Sequence, residues 1–600
     1  MIGIIGRVFR VLSKKQRASL ALLQVLVIVM AFFEVITIAS IGPFIAVISD
    51  PTTLQTNSYL NQIISYFGIS SFKQFTFFYG IFLLGFMFLS SLISVYGVWR
   101  LSSFATSLGS EISSQLFENY IKSGWIFHLN TNSSEITKRL VNESQRVTSS
   151  ILQPMMLINA RFVLILFILI GIVWVNPWVA LFGMTTFGCC YILLYYVVQG
   201  ILYKNGKAWS DVLALRYKLI SSSFGGIRDI LVLGRNKAFI DAFRKSGAEL
   251  ARAVGTNGVL TQAPRYMVEF VAFGSLVTLI VVITESESSR FIEILPVLAV
   301  YAFAALKLLP AFQQLYVGVS QIRGNTAAFE AIESDLISYS SDERDSDSCE
   351  RVNFDSKLRL ENVSFRYPGA PQLALDSIQM QIDVNTTVGI VGPSGSGKTT
   401  ILALLSGLIS PSSGKLKVDT SVVDRQNLRK WKNIIGYVPQ DVFISDASLE
   451  ENIAFGISTM DIDRSALEKA AKLANLDDFV GELVGGFKAI MGERGANISG
   501  GQRQRIGIAR ALYNDPEVLI FDEATSALDG NTEKIVMDAI KALDGKKTII
   551  MVAHRLKTVE SCKNIFLVED GVIVDQGTYD GLIKGNQNFR KLAGVIKSEI

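Results

Sequence analysis

The first 320 residues contain six apolar stretches, approximately Leu20–Ile48, Phe75–Trp99, Met155–Val175, Trp178–Val198, Tyr266–Ile283 and Phe291–Tyr316. Each meets or approaches the roughly 20 residues that a helix needs to cross a bilayer. Lipid offers no hydrogen-bonding partners to the backbone, so such stretches are expected as helices. Half of the 600 residues are hydrophobic and only 18% are charged, which suits a membrane protein with a soluble part attached. The first stretch follows Lys14, Lys15 and Arg17 and so mimics a signal peptide. It is too long for a signal core and lacks a small-residue cleavage site, so it is taken as a span. The alternative, that the last two stretches are buried helices of a soluble domain, is opposed by their length and their charged flanks.

Lysine and arginine set the orientation. Six lie between Arg100 and Arg161 and eleven between Lys204 and Arg265. The intervening loops hold only Lys73 and Arg290, with none around Asn176-Pro177. Both chain ends and the two long basic loops are therefore expected on the cytoplasmic side. Those loops are too long for simple turns and carry amphipathic sequence such as Ile227–Leu233. Spans two to five are expected to continue into the cytoplasm as helices.

Residues 334–350 are polar, acidic and poor in hydrophobes, as in a linker. From about Lys357 short apolar strands alternate with helices, the pattern of an α/β fold. The expected organisation is a membrane domain over 1–330, a linker over 331–355 and a nucleotide-binding domain over 356–600. Gly392-Pro-Ser394-Gly395-Ser396-Gly397-Lys398-Thr399 matches a loop whose backbone N–H groups wrap phosphates. Its glycines allow close backbone approach, and a helix starting near Lys398 points its N-terminus at the same anion. Lys398 is expected to neutralise β/γ charge, and Thr399 to offer its hydroxyl to Mg²⁺. Asp522, ending the apolar strand Val518–Phe521, is placed to hold the metal through water, and Glu523 to polarise the attacking water. A lone phosphate-loop match occurs by chance; a strand before it, a helix after it and Asp-Glu downstream make chance a poor explanation. A net charge of +4 does not point to nucleic acid. Four scattered cysteines and two histidines exclude a disulfide framework and a histidine-rich metal site.

These motifs together resemble those of ABC exporter half-transporters, and the resemblance extends over essentially the whole chain. It implies a six-helix all-α polytopic membrane domain followed by an α/β P-loop ABC ATPase domain. Ile498-Ser499-Gly500-Gly501-Gln502 resembles the family's signature, with Ile where Leu is usual. The resemblance assigns ATP contact to Gly392, Ser394, Gly395, Ser396, Gly397, Lys398, Thr399 and Thr400. It adds Tyr367 as the adenine-stacking aromatic and Gln440 as a metal contact beside Thr399 and Asp522. Asp529 falls in the D-loop and His554 matches the γ-phosphate switch, catalytic with Glu523. Glu493-Arg494-Gly495 resembles the short motif that precedes the signature in exporters. In this family ATP lies between the phosphate loop of one motor and the signature of the other. A homodimer is thus implied, with ATP and Mg²⁺ as cofactors. Short coupling helices near Phe127–Asn132 and Phe224–Leu231 are implied as well. His128 has no such context and reads as incidental.

The cargo must be sought in the membrane half. Lys307 lies inside span six, where charge is expensive and usually functional. Arg161 and Arg265 lie near helix ends, where snorkelling is the plainer explanation; facing inward, all three would suit an anionic head such as a pyrophosphate. Residues 57–68 form an amphipathic stretch on the outer side that suits a lipid interface or an ordinary loop helix. The segments Gly226–Arg235 and Ala263–Glu269, with Phe239 and Phe243, resemble PglK-type flippases of lipid-linked oligosaccharides. The expected function is therefore ATP-driven flipping or export of a lipid-linked substrate across a bacterial inner membrane, with a polyprenyl-pyrophosphate-linked oligosaccharide favoured. A multidrug or lipid A-type exporter is the alternative within transport. A peptide exporter is disfavoured because no protease-like domain precedes span one. An ATP-gated channel or sensor is the alternative of another class, disfavoured by intact Glu523 and His554. Membrane lipids are expected partners; nucleic acid is not.

Overall fold

A computed structural model describes residues 6, 7, 10, 13–49, 72–175, 177–271, 273, 274, 277, 291–337, 350–492, 495, 496, 498–523, 530–553 and 555–593. By internal contacts the chain divides into two units. One comprises Met1–Ser123 and Asn130–Glu343, the other Gly124–Leu129 and Arg344–Ile600.

The first unit is helical. It contains α1 (Lys14–Ser49), α2 (Phe72–Lys122), α4 (Gln153–Val175), α5 (Pro177–Gly225), α6 (Ile227–Val232), α7 (Asn236–Gln262), α8 (Phe291–Gly324) and α9 (Thr326–Ile337), while α3 (Trp125–Asn130) lies mainly in the second unit's share. Among the described residues four helices are long and apolar enough to cross a membrane: Lys14–Ile45, Lys73–Lys122, Ser133–Trp174 and Ala302–Gly324. The fourth expected span lies within α5, and half of the fifth falls outside the described residues. With 51 residues in α2 and 49 in α5, each helix is about 75 Å long. That is more than twice the hydrocarbon thickness of a bilayer, so both extend well beyond their apolar spans. Helical structure runs unbroken from Ser133 into α4 through two π-helical turns, Lys138–Glu143 and Thr148–Leu152.

Buried polar groups hold these extensions together. Arg146 is buried; its guanidinium donates to Glu143 at 2.9 Å, to Ser210 Oγ at 2.7 Å and to Asn325 Oδ1 at 3.1 Å. It also lies over the Trp209 ring at 4.0 Å. A buried cation left unpaired would be costly, so this cluster couples the π-helical region to α5 and to the α8–α9 turn. The end of α2 is tied to α9 by Asp335, which accepts from Tyr120 at 2.5 Å and from Arg139 at 2.7 Å. The helix α9 runs through Ile337 into the stretch expected as linker, because Phe329, Ile332 and Leu336 are buried.

The second unit joins two sheets. Strands β1 (Lys357–Phe365), β2 (Leu375–Asp383), β4 (Ser413–Val418) and β5 (Ser421–Val422) form an antiparallel sheet in the order β2-β1-β4-β5. Strands β3 (Thr387–Val391), β6 (Ile435–Val438), β7 (Val518–Asp522), β8 (Thr548–Val552), β9 (Asn564–Glu569) and β10 (Val572–Gly577) form a second sheet. Its order is β10-β9-β3-β8-β7-β6, parallel except for β10. Every residue of β3, β7 and β8 is buried, as continuous apolar runs in a parallel sheet require. Helices α10 (Lys398–Leu405) and α11 (Gly500–Leu512) follow the two phosphate-type motifs. The short helix α3 carries most of the stretch implied as the first coupling helix, ending at Asn130. Its Ile126 packs against the core formed by both sheets, and α6 covers most of the second such stretch.

Candidate functional site

Register brings the phosphate loop and the acidic pair to one level. Ile390 pairs with Val552, and Val552 pairs with Asp522, so the C-terminal ends of β3, β8 and β7 lie side by side. Ligands of parallel α/β sheets bind outside such strand ends. The loop Gly392–Gly397 leaves β3 and enters α10 at Lys398. Gly397 has φ 104°, and a Cβ there would lie 2.8 Å from Leu375 Cδ2 and 2.9 Å from the Ala374 carbonyl oxygen. Only glycine fits that turn.

Lys398 is buried, and its ammonium donates to the carbonyls of Gly392 at 2.9 Å and Pro393 at 2.7 Å. Burial holds its pKa below the usual lysine value, opposed by the charges of Glu523 and Asp522. The Ser396 hydroxyl is buried with no hydrogen-bond partner among the described residues. An orphaned donor among backbone N–H groups at a helix start is what a phosphate oxygen would satisfy. A cavity of about 530 Å³ opens here, lined by Ser394, Gly395, Gly397, Lys398, Thr399 and Thr400, with Tyr367 and Glu523 also in its wall. The Tyr367 hydroxyl lies 3.2 Å from Thr400 Oγ1, and its ring packs edge-on against Phe365.

Asp522 is buried at the end of β7 and accepts from the Tyr437 hydroxyl at 3.2 Å. Burial raises its pKa, helped by Glu523 and opposed by the Tyr437 hydrogen bond and Lys398. Glu523 has φ 51°, a left-handed conformation that costs a non-glycine residue on the order of 1 kcal/mol. Its N–H donates to the Val552 carbonyl at 3.1 Å, which fixes the turn. Gln440, just beyond β6, donates from Nε2 to Glu523 Oε2 at 2.7 Å. Thr399, Gln440 and Asp522 offer only oxygen donors toward a metal, a set that fits a hard cation held jointly with phosphate.

Ser499 caps α11 with a reciprocal box: its N–H donates to Gln502 Oε1 at 2.8 Å, and Ser499 Oγ accepts from the Gln502 N–H at 3.2 Å. Ile498 is accommodated by packing partly buried against the core. Ser499, Gly500, Gly501 and Gln502 do not line the phosphate-loop cavity. Glu493, Arg494, Asp529, His554 and residues 57–68 lie outside the described residues. Asp570 and Gly571 line the cavity without having been singled out in the sequence. Gly571 donates to the Ser396 carbonyl at 3.0 Å, supporting the loop from the β9–β10 turn. The Asp-Gly dipeptide marks a hairpin, but its position beside the loop depends on strand order.

In the membrane unit, Arg161 and Lys307 line one cavity of about 360 Å³ with Glu34, Leu306, Pro310 and Gln314. The Arg161 Nε donates to Gln314 Oε1. Pro310 lacks an N–H and so leaves the Leu306 carbonyl without its usual helical donor, an arrangement tolerated where backbone lines a cavity. Arg265 is not part of this lining; it pairs with Glu269 at 2.6 Å on an exposed surface. Glu34 was missed in the sequence, although a lone acid inside an apolar span signals function as plainly as Lys307 does.

Residues 375–526 match the ABC transporter family, and residues 39–290 match the ABC transporter transmembrane region. The chain is 40% identical over 235 residues to the ATP-dependent lipid A-core flippase of Ralstonia nicotianae, covering 38% of this chain and 40% of the relative. It is 42% identical over 236 residues to the leukotoxin translocation ATP-binding protein LktB of a Pasteurella haemolytica-like species, covering 39% and 32%. It is 37% identical over 244 residues to multidrug resistance protein pgp-1 of Caenorhabditis elegans, covering 40% and 18%. The matches thus span less than half the length of these relatives. The fold is similar to that of a bacterial Atm1-family ABC exporter with ATP bound, with TM-score 0.77 and 21% identity over 96% of this chain and 98% of that one.

Proposed function

We propose that this chain, an ABC exporter half-transporter joining a transmembrane region to one ABC ATPase domain, hydrolyses ATP to move an anionic amphiphile across a bacterial inner membrane. The favoured cargo is a polyprenyl-pyrophosphate-linked oligosaccharide. The observation that carries the ATP-driven part is the convergence of Lys398, Thr399, Asp522 and Glu523 at the ends of two parallel strands. The observation behind the cargo is a cavity in the membrane unit that holds both Arg161 and Lys307.

In this mechanism the loop N–H groups and Ser396 hold the phosphates, and Lys398 releases its two carbonyl contacts to reach the β/γ oxygens. Glu523 accepts the proton of the attacking water while Gln440 fixes its orientation through Nε2. A bound Mg²⁺, held by Thr399, Gln440 and Asp522, would neutralise charge on the phosphates. His554 and Asp529 are assigned to the γ-phosphate and to communication between motors. Ser499, Gly500, Gly501 and Gln502 are assigned to the ATP of a second copy, so a homodimer completes the site. The proposed domain limits are 1–330, 331–355 and 356–600, with the N-terminus and the ATPase domain cytoplasmic.

ATPase activity of the purified chain in nanodiscs should rise when an undecaprenyl-pyrophosphate lipid is added and stay flat with a zwitterionic phospholipid. No basal hydrolysis would overturn the motor assignment. Hydrolysis stimulated equally by both lipids would overturn the anionic cargo. Stimulation by lipid A alone would move the cargo to the class named for the Ralstonia relative, which is also anionic.

A further inference from the structure

Glu34 is an acid in the middle of α1, only 8% exposed, in a helix that otherwise reads as bilayer-spanning. Placing a carboxylate there is expensive unless it is partnered. Its partners come from two other helices. Ser94 of α2 donates its hydroxyl to Oε1 at 3.1 Å, and Lys307 of α8 holds its ammonium 3.8 Å from Oε2. The second contact is long for a charge-assisted hydrogen bond, and the Lys307 side chain is 51% exposed toward the same cavity. The acid is fixed by Ser94, and the cation is held more loosely. Arg161, oriented by Gln314, lines the same cavity. Among the described residues the lining therefore carries two cations against one acid, in a volume of about 360 Å³ that suits a charged headgroup better than a glycan.

We propose that Glu34 is a resident counter-ion that sets the selectivity and the release of the anionic headgroup. In the empty site it neutralises Lys307. An incoming phosphate must draw Lys307 away from it, and as the headgroup leaves the ammonium returns to the carboxylate. Such a competitor weakens binding of all anions. It weakens a pyrophosphate most, because the added negative charge faces the carboxylate that stays behind. This inference rests on the anionic-cargo proposal, but it concerns binding at one site and is tested without transport.

The test is binding of farnesyl pyrophosphate and farnesyl monophosphate to the detergent-solubilised full chain, followed by intrinsic fluorescence. Glu34→Gln should tighten pyrophosphate binding about tenfold, and the monophosphate by less, the scale expected for one competing charge near 4 Å in a partly wet site. Glu34→Asp should stay near the parent, which separates charge from packing. In a Lys307→Gln background, Glu34→Gln should tighten binding clearly less than in the parent, since only the direct repulsion between carboxylate and phosphate is then removed and no competition for the ammonium remains. Inorganic pyrophosphate should compete with the probe in both the parent and Glu34→Gln. Unchanged or weaker binding in Glu34→Gln, an equal gain for a zwitterionic lysolipid, or no competition by inorganic pyrophosphate would each overturn the counter-ion role. If neither the parent nor Glu34→Gln binds either probe, the inference falls by itself, while stimulated ATPase activity still decides the cargo independently.

Discussion

The two cavities hold their carboxylates and lysines in opposite ways. In the ATPase domain, Lys398 is tied by two carbonyls within 2.9 Å, and Glu523 is fixed by its own N–H and by Gln440. In the membrane unit, Lys307 and Glu34 face each other at 3.8 Å, with Lys307 half exposed. The first site holds its loop, Asp522 and Glu523 in place for one phosphate geometry, as transition-state stabilisation demands, and Lys398 alone trades its carbonyls for phosphate oxygens. The second is loose enough for partners to be exchanged, as a transport site that must both bind and release demands. Rigidity marks the place of chemistry, and exchangeable charge marks the place of passage.

That contrast can be broken from its strongest side first. Glu523→Gln should lower ATP hydrolysis by about 10²- to 10⁴-fold while ATP binding persists, as loss of a general base predicts. Measured turnover within a few-fold of the parent would remove Glu523 from its role. Lys398→Ala should weaken nucleotide binding by about 2 kcal/mol, read by titration with a fluorescent ATP analogue; unchanged affinity would detach the lysine from the phosphates. Lys307→Ala should raise the half-saturating concentration of an anionic lipid about tenfold and leave basal ATPase activity intact. Equal losses in both would make Lys307 structural and erase the distinction between the cavities.

The smallest effect sharpens the rigid half. Asp419 accepts backbone N–H groups from Asp355, Ser356 and Lys357 at 2.7–2.9 Å. Partial burial alone would raise its pKa, but these donors pull it below the usual aspartate range. A depressed carboxylate pKa stabilises the fold above its unfolded value and loses that contribution as pH falls through the folded one. Asp419→Asn should therefore cost about 1 kcal/mol at pH 7, and the difference should shrink below about pH 4. A pH-independent difference in denaturant midpoint would show that the anion is not what the three donors hold.

The rigid site was legible because its parts are short and local. The run from Gly392 to Thr399 contains its own turn and helix start, and Asp522-Glu523 ends a visibly apolar strand. Strand order then supplies what local sequence does not, namely the level pairing through Val552 and the support from Gly571. The long helices α2 and α5 were legible from apolar length and basic flanks, whereas the π-helical turns around Arg146 were not. No periodicity announces a buried guanidinium that bonds both to α5 and to the α8–α9 turn. The membrane cavity was half legible. Lys307 and Arg161 stood out as charges near apolar sequence, but their sharing of one cavity, the exclusion of Arg265 and the approach of Glu34 all arise from packing between distant segments.

The most direct test of ATP-driven movement of an anionic lipid is flipping of a labelled polyprenyl-pyrophosphate oligosaccharide in proteoliposomes, with and without ATP, beside Glu523→Gln. ATP-dependent flipping that vanishes in Glu523→Gln is the predicted result. A parent protein that hydrolyses ATP yet leaves the lipid in its original leaflet would contradict it.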